Sequence, residues 1–263
     1  MKIGVIGCGN MGTALIAGLV LQDPRIEIAI FESSSERRAD IAARFGAIDC
    51  GTDPALLCMN SEVVVLAVKP ADIAAVATVL QPHLGSQLVI SLLAGVTQGR
   101  LMQLLGTKQV VRYMPSLAAA VGKALVGVSL PDDANEGMRH TAELIANALG
   151  TPLFVPEKLM PAVTGLSGSG IAFVFEFVHA MCLGAVQSGM SYEAALTGAL
   201  TVLEGAAAAL RENGEHPVAL LSKVISPAGT TIAGVEQLHK HGFDAAVAAA
   251  VTAAADRARE LES

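Results

Sequence analysis

Short runs of small residues, of two kinds, carry the chemistry legible in this chain. Gly7-Cys8-Gly9-Asn10-Met11-Gly12 has the spacing GxGxxG and stands between an apolar run, Lys2–Ile6, and a helical pattern that begins at once. That context predicts strand, turn and helix, with Gly7 for the tight turn, Gly9 for close approach of a pyrophosphate, and Gly12 for packing of helix on strand. The amides of Gly9, Asn10 and Met11 then meet an anion at the positive end of a helix dipole, and no lysine is needed. The second kind of run is Thr164-Gly165-Leu166-Ser167-Gly168-Ser169-Gly170 and Ile225-Ser226-Pro227-Ala228-Gly229-Thr230-Thr231. Each is expected to open a helix, where small polar groups and free N–H donors suit a carboxylate. Plain capping by Ser167 and Thr230 is the other reading.

Further residues gather around the first run. Glu32 falls about twenty positions after Gly12, at the end of a second predicted strand, where a carboxylate can accept from an adenosine ribose and favour NAD. Ser33, Ser34 and Ser35, with Arg37 and Arg38 beyond, can instead hold a 2′-phosphate, or form a solvated turn with Ser35 as helix cap. Ala67-Val68-Lys69-Pro70, the Ala94-Gly95 turn and Met114-Pro115 each end a predicted strand, on the carboxyl edge where open α/β sheets bind ligands. With Ile6 they complete the candidate cofactor site.

The elements that must position these residues follow from periodicity. Short β-branched runs alternate with helical patterns as far as Val155, the signature of a mostly parallel sheet covered by helices. Strands are predicted at 2–6, 27–31, 63–68, 87–92, 109–113, 125–130 and 153–155, and helices at 11–22, 35–45, 71–80, 99–105 and 134–149. Pro152, Pro156 and Pro161 then punctuate the chain. Beyond them only Ala-rich helical patterns remain, broken at Gly189, Asn213-Gly214, Pro217, Ser226–Gly229 and Gly242. Two domains are expected: a dinucleotide-binding one over 1–155 and an all-helical one over 156–263.

Composition narrows the function classes. With 263 residues the chain has room for two domains, and 52% apolar against 3% aromatic residues means cores of Ala, Val, Leu and Ile. A formal net charge of −7 without Lys/Arg clusters argues against a nucleic-acid partner. Cys8, Cys50, Cys58 and Cys182 lack CxxC spacing and nearby His pairs, so neither a metal site nor a disulfide framework is expected and a reducing cytoplasm fits. Met1-Lys2 leads straight into a strand, which leaves no room for a signal peptide. The apolar stretch Ile171–Val186 carries Glu176 and His179 and falls short of a membrane span; it reads as a core helix, with His179 inside. Small-residue faces at Ala195, Gly198, Ala199 and Ala245 to Ala255 leave a partner subunit plausible alongside a bundle closed within one chain.

Taken together, IGCGNMG, the LAVKP run, LSGSG, SPAGTT and the tail GTTIAGVEQLHKHGF with AVTAAADRARELES resemble the pyrroline-5-carboxylate reductases over essentially the whole chain. The resemblance implies a Rossmann-type domain, an all-α dimerisation domain, and reduction of 1-pyrroline-5-carboxylate to L-proline with NADPH or NADH. It also implies homodimers, with rings of dimers in some members. Carried onto this sequence, Ser226, Gly229 and Thr230 hold the substrate carboxylate and the Thr231 hydroxyl meets the ring nitrogen as the catalytic group. Glu157 neighbours the substrate, and Lys223 approaches the cofactor. Ala228 departs from the family's SPGGTT, Ile171-Ala172-Phe173 from its Pro-Ala-Tyr, and Met114-Pro115-Ser116 from its Met-Pro-Asn. A β-hydroxyacid dehydrogenase, similar in outline, would need a lysine on the long helix, and none occurs between Lys158 and Lys223. A nucleotide-binding regulator without turnover is the remaining alternative.

Overall fold

In a computed structural model that describes residues 1–262, the first part of the chain alternates strand and helix. β1 (Lys2–Ile6), α1 (Asn10–Gln22), β2 (Glu27–Phe31), α2 (Ser35–Phe45), β3 (Ile48–Asp49), α3 (Pro54–Met59), β4 (Val63–Leu66) and α4 (Ile73–Leu80) come first. β5 (Leu88–Ser91), α5 (Gln98–Leu105), β6 (Val110–Met114), β7 (Ala124–Ser129), α6 (Glu136–Asn147) and β8 (Gly150–Phe154) follow. The strands form one eight-stranded sheet in the order β3-β2-β1-β4-β5-β6-β7-β8. All neighbours are parallel except β6 and β7. Strand order reverses between β1 and β4, which opens a crevice at their carboxyl ends.

Burial explains the central strands. Val63, Val64, Val65 and Leu66 are all buried, as a parallel strand covered on both faces requires. One core, around Ile3, Val5, Leu15, Ile30, Val65 and Ile145, fills one face, and another, around Ile6, Leu57, Val64, Val89 and Leu101, fills the other. Local chemistry sets the helix ends: Ser34, Asp53, Thr97 and Asn135 accept backbone N–H bonds at the starts of α2, α3, α5 and α6, while Gly46 and Gly106 end α2 and α5 in the left-handed conformation. Thus Ser34, rather than Ser35, is the cap of α2.

Two elements escape the sequence pattern, β3 and α3, both too short to show a period. The proline reading also needs correcting. Pro152 lies inside β8 and pairs with Val126, which an edge strand tolerates because the missing N–H faces no neighbour.

The helical part holds α7 (Met160–Val163), α8 (Gly170–Gln187), α9 (Tyr192–Asn213), α10 (Pro217–Val224), α11 (Thr230–Lys240) and α12 (Phe243–Glu262). Its breaks fall where glycine and proline predicted: Gly214 ends α9 with φ 61°, Pro217 begins α10, and Gly242 turns the chain between α11 and α12 with φ 70°. Thr164–Ser169, however, is not a helix start. It is a π-helical turn between α7 and α8, and the Thr164 and Ser167 hydroxyls donate back to the Met160 and Val163 carbonyls. The helix is therefore continuous over Glu157–Gln187, 31 residues with an apolar window of mean hydropathy 1.7, and Tyr192–Asn213 is a second helix long and apolar enough to cross a membrane. Only 11% of either apolar window is buried, and His179 is exposed against the Tyr192 hydroxyl, so the expected core helix is not found.

By compactness the chain divides into Met1–Ser169 joined by the segment from Thr252, and Gly170–Val251. The first unit holds a buried cation. Arg112 in β6, 1% exposed, donates to Glu157 at 3.3 Å and to Glu262 in α12 at 2.5 Å. Glu157 Oε1 also accepts the Gln98 amide at 2.6 Å, while the Gln98 side chain bonds the Val110 and Ser129 carbonyls. Removing one partner of such a cluster strands the others. Arg112→Met is expected to lower stability by about 3 kcal/mol, measured by urea unfolding; a loss near zero would mean that water takes over both carboxylates.

Candidate active site

The glycine turn sits at the switch point, and each of its glycines has a separate physical reason. Gly7 has φ 92° and its amide donates to the Phe31 carbonyl, tying the end of β1 to β2. A Cβ at Gly12 would overlap the Gly7 carbonyl oxygen and come within 3.3 Å of the Ala67 side chain, so α1 leaves β1 only because that atom is missing. Around Gly9 nothing lies within 4 Å of where a Cβ would be. That open face is where a pyrophosphate can reach the backbone. Gly9 is the N-cap of α1 and no side chain caps the helix, so its first amides remain for an anion. An open groove of about 410 Å³ runs past Gly7, Gly9, Glu32, Ser33, Arg37 and Lys69.

Glu32 lines that groove and is 6% exposed. Burial alone would raise its carboxyl, but the amides of Ser34 and Cys8, the Arg37 guanidinium and the Ser33 hydroxyl outweigh it and hold the group at about 2. Burial first, then the Glu32 charge, push the Cys8 thiol up to about 12, so this cysteine is a packing residue rather than a nucleophile. Arg38 turns away, with Nη1 on the Glu32 carbonyl at 2.6 Å and Nε paired with Asp49.

The other predicted groups sort by unit. β4, β5 and β6 are adjacent and parallel, so Ala67–Pro70, Ala94 and Met114 share the carboxyl edge. The π turn approaches the same edge, since a Cβ at Gly168 would meet the Met114 methyl at 3.2 Å. Glu157 lies elsewhere. It follows β8, which runs with β7 against β6, and so falls toward the opposite edge, where its oxygen serves Gln98 and Arg112. Arg112 and Gln98 were not singled out from sequence, although an arginine inside the run Val110-Val111-Arg112-Tyr113 is a usable signal.

In the second unit, Gly229 is the N-cap of α11 and no side chain caps the helix, so neither Thr230 nor Thr231 is spent on capping. The Gly229 amide donates to the Ser226 carbonyl at 3.0 Å, and a Cβ on Gly229 would overlap the Ser226 hydroxyl. Ala228 holds φ 54°, a left-handed conformation that costs a non-glycine residue about 1 kcal/mol and is maintained here by the turn. Thr231 is half-buried. Lys223 pairs with Glu215 at 2.6 Å, one loop before α11. No group of three or more His, Cys, Asp or Glu that could hold a metal occurs among the described residues.

Comparison with known proteins covers the chain end to end. A family model described as pyrroline-5-carboxylate reductase dimerisation matches residues 157–261, and one for NADP oxidoreductase, coenzyme F420-dependent, matches residues 2–95. The chain is 41% identical to the pyrroline-5-carboxylate reductase of Methanosarcina acetivorans, covering 99% of this chain and 97% of that protein. To the Aquifex aeolicus enzyme of the same name it is 35% identical, over 99% and 97%. Among solved structures, a pyrroline-5-carboxylate reductase from Coxiella burnetii superposes with TM-score 0.93 at 31% identity, covering 99% of this chain and 98% of that one. The Plasmodium falciparum pyrroline carboxylate reductase, with NADP bound, gives 0.88 at 25% identity, over 100% and 98%.

The packing at Gly12 yields a direct test. Gly12→Ala must push α1 off the turn and is expected to weaken NADPH binding about 100-fold, the scale of a tight steric insertion. Nicotinamide fluorescence reports it, and affinity within threefold of wild type would show that the turn can yield.

Proposed function

Because the chain belongs to the pyrroline-5-carboxylate reductase family, we propose that it reduces 1-pyrroline-5-carboxylate to L-proline by hydride transfer from NADPH, with NADH as alternative donor, as the last step of proline biosynthesis. One observation carries the reading: a chain whose open Gly9 turn fits a dinucleotide also bears, ahead of α11, a strained SPAGTT turn whose helix is left uncapped by side chains.

The bound nicotinamide supplies the hydride, and the residues of the chain bind and orient. Gly7, Gly9, Asn10, Met11 and Gly12, backed by Ile6, cradle the pyrophosphate; Glu32, Ser33 and Ser34 meet the adenosine ribose. Ala67, Val68, Lys69, Pro70, Ala94 and Met114 serve the carboxyl edge of the sheet, and Lys223 approaches the cofactor from the helical domain. Ser226, Gly229 and Thr230 hold the substrate carboxylate, since helix-start amides favour a negative group. The Thr231 hydroxyl bonds the ring nitrogen, which positions a C=N bond that is already electrophilic when protonated. In this reading Glu157 neighbours the substrate while its Oε1 holds the Gln98 amide and Arg112. Functionally, residues 1–155 bind the dinucleotide and 156–263 supply substrate contacts and a homodimer interface.

Dimerisation is supported by what the second unit lacks. Its buried cluster is Val178, Cys182, Ala195 and Ala199, mostly small side chains, while Phe175, Leu183, Leu200, Val202 and Leu238 are exposed. So small a core does not hold a helical unit by itself. A second subunit covering these helices, rather than lipid, agrees with a cytoplasmic enzyme, and the net charge of −7 with no nucleic-acid partner. Rings of dimers are a further assembly that sizing by light scattering separates from the dimer.

The test follows oxidation of NADPH and NADH with 1-pyrroline-5-carboxylate. Thr231→Ala is expected to lower kcat about 100-fold with the cofactor KM little changed. Equal rates would remove Thr231 from the mechanism, and no wild-type turnover despite cofactor binding would favour a nucleotide-binding protein without catalysis.

A further inference from the structure

The turn between β5 and α5 is pinned at both ends and backed in the middle. At its start the Leu92 amide donates to the Leu66 carbonyl at 2.9 Å and the Leu93 amide to the Ser91 hydroxyl at 3.2 Å. At its end the Gln98 amide donates to Glu157, while the buried Gln98 side chain donates to the Val110 and Ser129 carbonyls and accepts the Ser129 hydroxyl at 3.1 Å. Between them Leu93 and Val96 are buried and Ala94 is exposed. Gly95 holds φ 73° with the last turn of α12 against it, since a Cβ there would stand 3.3 Å from the Leu261 carbonyl oxygen. Leu261 is 58% exposed, so its side chain does not hold that turn in place. Glu262 does, through Arg112 at 2.5 Å, with the guanidinium 1% and the carboxylate 16% exposed. An acid in the last turn of a helix opposes the helix dipole, so Glu262 is placed for Arg112 rather than for α12. All of these groups belong to the first unit.

We propose that Glu262 is a positioning residue: fastened to Arg112, it keeps Leu261 behind Gly95, so that Ala94 meets the nicotinamide half of a bound dinucleotide at a fixed depth. That role presupposes the dinucleotide reading of the site given above. Strand order supplies the direction. With the pyrophosphate at Gly9 after β1 and the adenosine toward Glu32 after β2, the other half of the molecule runs the opposite way along β2-β1-β4-β5-β6, past the ends of β4 and β5. Ala94 stands exposed at the end of β5. It offers a ring only a methyl group and a backbone, so what it controls is distance, and a misplacement of about 1 Å is enough to cost a reaction about 100-fold. A glycine in the left-handed conformation is a soft point in a turn. At Gly95 the last turn of α12 supplies the stop, and a charge-assisted bond to a buried guanidinium holds it there.

Calorimetric titrations of the full chain with NADPH and with 2′-phospho-ADP-ribose, the same molecule without its nicotinamide, separate positioning from folding. In wild type NADPH is expected to bind about tenfold more tightly than the fragment. Glu262→Ala is expected to bring the two within about twofold by weakening NADPH alone, the scale of one charge-assisted hydrogen bond. Glu262→Gln keeps an acceptor within reach of Arg112 and should restore the gap to within about threefold of wild type. A general folding defect weakens both ligands alike and cancels in the ratio. Equal losses for the two ligands in Glu262→Ala, or a ratio within twofold of wild type, would overturn the positioning role. Turnover is a separate readout: with 1-pyrroline-5-carboxylate, kcat/KM for NADPH in Glu262→Ala should fall at least about tenfold. If wild type reduces no imine, the catalytic reading fails by itself, and the ratio of dissociation constants still decides the role of Glu262.

Discussion

Helix α1 leaves the end of β1 at the point where Gly12 passes the Gly7 carbonyl with no room for a side chain. Much of the first unit depends on that contact. It aims the start of α1 at the switch point between β1 and β4, where a helix dipole and unpaired amides are worth most to an anion. It also sets the Cys8 amide against Glu32, so the carboxylate at the end of β2 is fastened to the glycine turn. Two features that look separate along the sequence are one hydrogen-bonded object.

A different economy governs the far side of the sheet. Arg112 stands in a strand whose neighbours are all buried, and its charge is tolerated because Glu157 and Glu262 come to it from two remote parts of the chain. The same cluster ties the Gln98 amide and the last turn of α12 to β6. Buried ion pairs of this kind contribute little net stability against an apolar replacement but cost heavily when broken, so they specify register more than they stabilise.

The second unit is organised around what it leaves uncovered. α8 and α9 meet through Val178, Cys182, Ala195 and Ala199, small contacts that let helices approach but bury little area. The π turn in Thr164–Ser169 extends α8 backwards into a single 31-residue helix without capping it, which lengthens the apolar face. Such a face needs a cover, and the dimerisation family model over 157–261 is consistent with a second copy in that role.

The strands and their order of appearance, the glycine turn, the helix breaks at Gly214, Pro217 and Gly242, and the family itself were legible in the sequence, because each rests on local rules: period, φ preference and fixed motif spacing. β3 and α3 were not, since elements this short carry no period, and Pro152 misled because only the sheet order makes β8 an edge. Glu32 was visible as an acid at the right distance, yet its saturation by four donors and the separate fates of Arg37 and Arg38 depend on side-chain directions. Glu157 was visible as an acid ahead of the long helix, but its bonds to Arg112 and the Gln98 amide depend on the antiparallel step from β6 to β7. The sequence by itself determined which local conformations the chain adopts and which reactive groups it owns. Only the tertiary structure decided which donors each carboxylate meets, because a charge is read by whatever lies within hydrogen-bond reach in space, however far away in sequence.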